Sequence, residues 1–161
     1  MWVRSPVACP SSAVHTRPMS KHIASLNQIL ANTYALAVKT HAAHWNVTGA
    51  QFFSLHAAFG EQYEALFEAA DDLAERLRAL GEKAPAGLRA LAKASDLDDT
   101  ESGDGLKLVQ QLHADHAALA KLIKAGIAAA DKAGDEATAD LLTGRLEEHD
   151  QTAWMLKATL G

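Results

Sequence analysis

Residues 52–80 read FFSLHAAFGEQYEALFEAADDLAERLRAL, and their period decides the fold. Phe52, Leu55, Phe59, Tyr63, Leu66, Ala70, Leu73, Leu77 and Leu80 recur at steps of three and four. That draws one apolar stripe down a helix until Gly81 supplies a stop. At 1.5 Å per residue, His56 and Asp71 then stand roughly 22 Å apart along the axis, beyond the reach of a shared metal ion. Two copies change that. If two such helices pack antiparallel about a two-fold near residues 64–66, the His56 end of one meets the Asp71 and Glu75 end of the other, and each pair carries two identical sites.

The residue types at those ends suit a metal. His41 and His44 stand at i and i+3, and Asp71 and Glu75 at i and i+4, so each pair shares a helical face. Imidazole nitrogen with carboxylate oxygen, and no thiolate, fits ferrous iron or zinc. Taken singly, the histidines read as ordinary core or surface residues and the acids as a solvated face beside Arg76 and Arg78. In combination they read as the two halves of one centre.

The same periodicity extends outward. Leu26, Ile29, Leu30, Thr33, Ala37 and Thr40 predict a first helix running to about Asn46, ended by Gly49. After Gly81 comes a connection of roughly twenty residues, long for a bundle, holding Pro85, Gly87 and a two-turn helix over residues 88–94. Such a crossover lets the second and third long helices run in the same direction. The third is predicted over about 101–132, apolar at Leu108, Leu112, Ala118, Leu119, Leu122 and Ile123 and stopped by Gly134. Asp135 then caps a fourth that carries Leu141, Leu142, Leu146, Ala153, Leu156 and Leu160. The expected fold is all-α: a ferritin-like four-helix bundle with a short extra helix in the crossover between its second and third helices.

Composition agrees. A chain of 161 residues that is 48% apolar and 6% aromatic can bury one core. Cys9 has no partner, which excludes a disulfide framework and makes a reducing, cytoplasmic setting the default. No apolar run approaches a membrane span. Residues 1–19 lack periodicity and contain Pro6, Pro10 and Pro18, so they read as a disordered tail or a start-site extension, with Met19 as an alternative beginning; 20–161 form the domain. Pro10, Ser11 and Ser12 interrupt the only candidate signal-peptide core.

The charge is unevenly spread. All 20 acidic residues lie from Glu61 onward, while Arg4, Arg17, Lys21 and Lys39 are the only Lys or Arg before it. Glu61, Glu64, Glu68 and Asp72 follow one another at three or four residues, either as a solvated face or as a carboxylate ridge that gathers cations. A tail with so few Lys and Arg is a weak ligand for a phosphate backbone.

These residues also carry a family likeness. His44-Trp45-Asn46-Val47-Thr48-Gly49, His56 twelve residues after His44, Asp71 fifteen after His56, and Ala74-Glu75-Arg76 resemble the signature of the Dps proteins, the small ferritins of starved bacterial cells. The likeness continues through Asp135-Glu136-Ala137-Thr138-Ala139-Asp140 and Ala153-Trp154-Met155-Leu156. It implies a ferroxidase that binds Fe(II) between His44 and His56 of one subunit and Asp71 and Glu75 of another, with His41 and Glu61 as further candidates. Hydrogen peroxide would be the usual oxidant, and Fe(III) would be stored in a hollow shell of twelve subunits built from two-fold dimers. Asp135 or Asp140 would line an entry pore, and Trp45 would either quench radicals or pack against the end of the first helix. DNA association is implied by kinship but weakly supported by this amino terminus. The alternatives are a DNA-compacting structural shell and a zinc-occupied shell with weak activity.

One departure stands out. Many members place an acid four residues after the histidine equivalent to His56, and here that position is Gly60. Glu61 is adjacent but turned by about 100° around the helix. The expectation is therefore one firmly held iron and a second held loosely or not at all. His113, His116 and His149 fall outside the pattern and read as structural.

Overall fold

The computed structural model describes residues 20–85, 87–99 and 103–161; the segment 1–19, expected as a tail, lies outside them. The described residues form α1 (Lys21–Asn46), α2 (Phe52–Ala79), α3 (Leu88–Ala94), α4 (Gly105–Ala133) and α5 (Glu136–Leu160). The four long helices and the short one in the crossover match the expected bundle. Their apolar stripes meet along one axis, where Leu26, Ile29, Leu36, Phe59, Leu73, Leu77, Leu108, Leu112, Leu119, Ile123 and Leu142 are all fully buried. Each such side chain contributes roughly 1.5–3 kcal/mol relative to remaining exposed.

Helix ends follow the punctuation in the sequence. Gly81, in the left-handed region at φ +85°, lets the chain turn while the Glu82 amide donates to the Leu77 carbonyl at 3.1 Å. Gly134 closes α4 in the same manner, and the Asp135 carboxylate then accepts from the Thr138 amide at 3.1 Å to start α5.

Helix α4 starts at Gly105, later than the predicted 101, because the backbone just before it is committed elsewhere. The Thr48 amide donates to the Gly103 carbonyl at 2.8 Å and the Gly105 amide donates to the Thr48 carbonyl at 3.3 Å, an extended pairing that a helix cannot share. Asp104 becomes the cap, accepting from the Lys107 amide at 3.0 Å. The approach is close enough that a Cβ on Gly105 would lie 2.8 Å from Leu55 Cδ1.

The crossover is fastened along α1 by a polar seam that the apolar pattern conceals. Gln28 Nε2 donates to the Ala94 carbonyl and to Asp96, and buried Asn32 Oδ1 accepts from the Ser95 hydroxyl and the Asp96 amide. Lys39 Nζ donates to the Asp98 carbonyl at 2.7 Å and pairs with Asp115 of α4 at 2.8 Å. Met in the order 28, 32, 39 and 48, these anchors carry the chain along α1 in its own direction. It therefore arrives back at the α1–α2 turn, and α4 sets out from the same end of the bundle as α2. That is the parallel relation the long connection predicted.

Candidate metal centre

His44 lies in the last turn of α1 and His56 in the second turn of α2, so the tight turn at Gly49 brings them face to face. Their rings stack with centroids 3.8 Å apart. His44 Nδ1 meets the His56 carbonyl at 2.7 Å, and His56 Nδ1 meets the His44 carbonyl at 2.8 Å. A carbonyl only accepts, so both Nδ1 atoms must carry the proton. In the neutral form each Nε2 is then the nitrogen with the lone pair. A backbone carbonyl on one ring nitrogen, leaving the other bare, is the usual way a protein orients a metal-binding histidine. The arrangement also supplies a partner to a carbonyl at the end of α1, where no further helical amide is available.

Gly60 has a place in this geometry. A Cβ built there would stand 3.4 Å from both Cε1 and Nδ1 of His44, so the helix is bare at the point where the ring reaches the His56 carbonyl. The glycine that costs α2 about 1 kcal/mol in propensity relative to alanine leaves that approach unobstructed.

The other candidates separate. His41 is half-buried in an aromatic stack, 4.0 Å from the Tyr63 ring and 4.1 Å from Trp45, a packing that sequence periodicity did not reveal. Trp45, 65% exposed, packs on His41 and not into the core. Asp71 and Glu75 are exposed toward the other end of α2, and among the described residues their carboxylates enter no side-chain hydrogen bond or ion pair. Glu61 is turned away from the two stacked histidines; it lines a cleft with Gln62, His116, Arg145, Glu148 and His149. Among the described residues, no three His, Cys, Asp or Glu side chains converge as a metal site within one chain would need.

Asp135 is engaged by partners within its own chain. Burial alone would raise it, but the Thr138 hydroxyl and amide and the Arg76 guanidinium donate to it and hold it below its ordinary value. Asp140 remains exposed. No helix among the described residues is long and apolar enough to cross a membrane.

The comparisons bear on the fold and the family. A family model for the ferritin-like domain matches residues 23–161. A low temperature-induced protein of Nostoc sp. is 40% identical over 141 residues, covering 83% of this chain and 76% of that protein. DNA protection during starvation protein 2 of Bacillus anthracis is 35% identical over 136 residues, covering 84% and 93%. The crystal structure of a Dps protein from Vibrio cholerae O1, described as a member of a broad superfamily of ferritin-like diiron-carboxylate proteins, superimposes with a TM-score of 0.84. Its identity is 33%, and 88% of this chain and 89% of that one are covered. The chain belongs to the Dps family of ferritin-like proteins.

Proposed function

We propose that this protein is a ferroxidase and iron store whose metal centres are completed between protomers. Fe(II), the substrate, is held by Nε2 of His44 and His56 on one protomer and by the carboxylates of Asp71 and Glu75 on its partner. Two Fe(II) supply the two electrons that, with two protons, convert one hydrogen peroxide to two waters, so no hydroxyl radical is released. The ferric product is kept inside a shell of twelve subunits assembled from two-fold dimers. DNA is protected because iron and peroxide are consumed, not because the protein reads or grips it.

The observation that carries this reading is the reciprocal Nδ1-to-carbonyl bonding of His44 and His56, which leaves Nε2 of each ring as the nitrogen available to a metal. With no acid at position 60, one Fe(II) per subunit binds firmly and a second weakly. Zinc fits the same donors and competes with iron for the site.

Anaerobic Fe(II) titration followed by peroxide tests it. One tight Fe(II) per subunit is expected, oxidised faster by peroxide than by oxygen, and lost in His44→Ala and in Asp71→Ala. Mixing the two variants from the unfolded state regenerates one intact site in each mixed dimer, so about a quarter of the wild-type sites return by two-fold symmetry. No recovery from a mixture that does assemble defeats the shared site, and absence of Fe(II) binding to the wild type defeats the function.

A further inference from the structure

We propose that His116 and His149 form an acid-operated latch that fastens α4 to α5 and releases as the surroundings acidify. His116 is 2% exposed and His149 1%, and their Nδ1 atoms meet at 2.9 Å. One ring must donate and the other accept, so the bond is lost once both Nδ1 atoms carry protons. A first proton, on Nε2 of the donating ring, keeps that bond but strands a charge in the core; a second sets two N–H groups against each other. Neither Nε2 has a protein partner. Both residues line a cleft of about 180 Å³, large enough for several waters and open enough to admit protons.

Burial, Arg145 and His113 oppose protonation of the pair, and the carboxylates nearby favour it. From α5 come Arg145 and Glu148, whose ion pair at 2.8 Å leaves Arg145 Nε buried and without a partner. From α4 comes His113, and from α2 come Glu61 and Gln62. Burial, then Arg145, then His113 lower His116 to about 4; burial, then His116, then Arg145 lower His149 to about 3.

The sign follows from linkage. An unfolded chain protonates both histidines near their ordinary 6.5, whereas the folded chain does so only near 4 and 3. The stability conferred by the neutral pair is complete above 6.5 and is lost as pH falls toward 4. Across that interval the unfolded state binds nearly two more protons, so this pair alone raises the unfolding constant by up to about a hundredfold per pH unit. Asp135, held below its ordinary 3.8, loses its contribution only as pH falls below that value, outside the interval from 6.5 to about 4.5.

Urea unfolding of the full chain between pH 7.5 and 4.5 tests the latch, with the wild type set against H116N/H149N, whose amides hydrogen-bond without titrating. The wild-type unfolding constant should climb at least tenfold more per pH unit than that of the variant between pH 6 and 5. Parallel slopes overturn the proposal. If the double variant does not fold, ¹⁵N NMR of the histidine-labelled wild type decides: two rings staying neutral at pH 5 in the folded protein sustain the latch, and two rings titrating near 6.5 overturn it.

Discussion

The bundle contains two histidine pairs joining neighbouring helices, and they differ in what Nδ1 touches. In the His44–His56 pair each Nδ1 donates to a backbone carbonyl, so both rings carry the same tautomer and present bare Nε2 atoms in a half-buried setting. In the His116–His149 pair Nδ1 meets Nδ1, the tautomers must be opposite, and both Nε2 atoms are buried. The same side chain thus serves a ligand-like arrangement in one place and a structural fastening in another. The nitrogen that is already bonded decides which.

Substitutions can break or sharpen that contrast. The largest effect on folding should come from His149→Ala, which empties a buried position and strands His116; a loss of about 2–4 kcal/mol is expected from urea denaturation at pH 7.5, while Fe(II) binding per folded subunit persists. His56→Ala should act oppositely. It removes one proposed ligand and the carbonyl's partner at the end of α1, weakening Fe(II) affinity by roughly tenfold to a hundredfold or more in an anaerobic titration. Its cost in stability should stay well below that of His149→Ala. Arg76→Ala, which takes the guanidinium from partly buried Asp135, should cost about 1–2 kcal/mol with no change in iron binding. Smallest is Gly60→Ala: the added methyl meets the His44 ring at ordinary contact distance, so the helix should gain up to about 1 kcal/mol in thermal unfolding. A large fall in Fe(II) affinity in that variant would show that the ring needs more room than the contact distance indicates.

Most of the helical framework was legible because it depends on local signals. The three-and-four spacing of Phe59, Tyr63, Leu66, Ala70, Leu73 and Leu77, and the stops at Gly81 and Gly134, act over a few residues and survive in any context. Residues 88–94 were bracketed by Gly87 and the polar run after Ala94, and the helix there falls where that bracket puts it. What escaped was non-local. Lys39 is a single cation in an apolar stretch, and only the passage of the crossover beside it explains its burial. His116 and His149 lie 33 residues apart on different helices, and no spacing rule connects them. The turn of Glu61 by about 100° from the histidine face was legible, but not the cleft it lines with His116 and His149 of other helices. The stacking of His44 on His56 lay between these extremes. Each residue could be singled out, but their mutual carbonyl bonds needed the turn at Gly49.

Gly60 sets a trade between rigidity and capacity. Any side chain reaching out from residue 60 begins in contact with the imidazole that rests against the His56 carbonyl. An acid introduced at that position to hold another ion would have to grow past that ring or lever it off its support. A lineage that gained the extra ligand would have to steer it around this ring, whereas one that keeps the glycine leaves the ring's approach to the carbonyl clear.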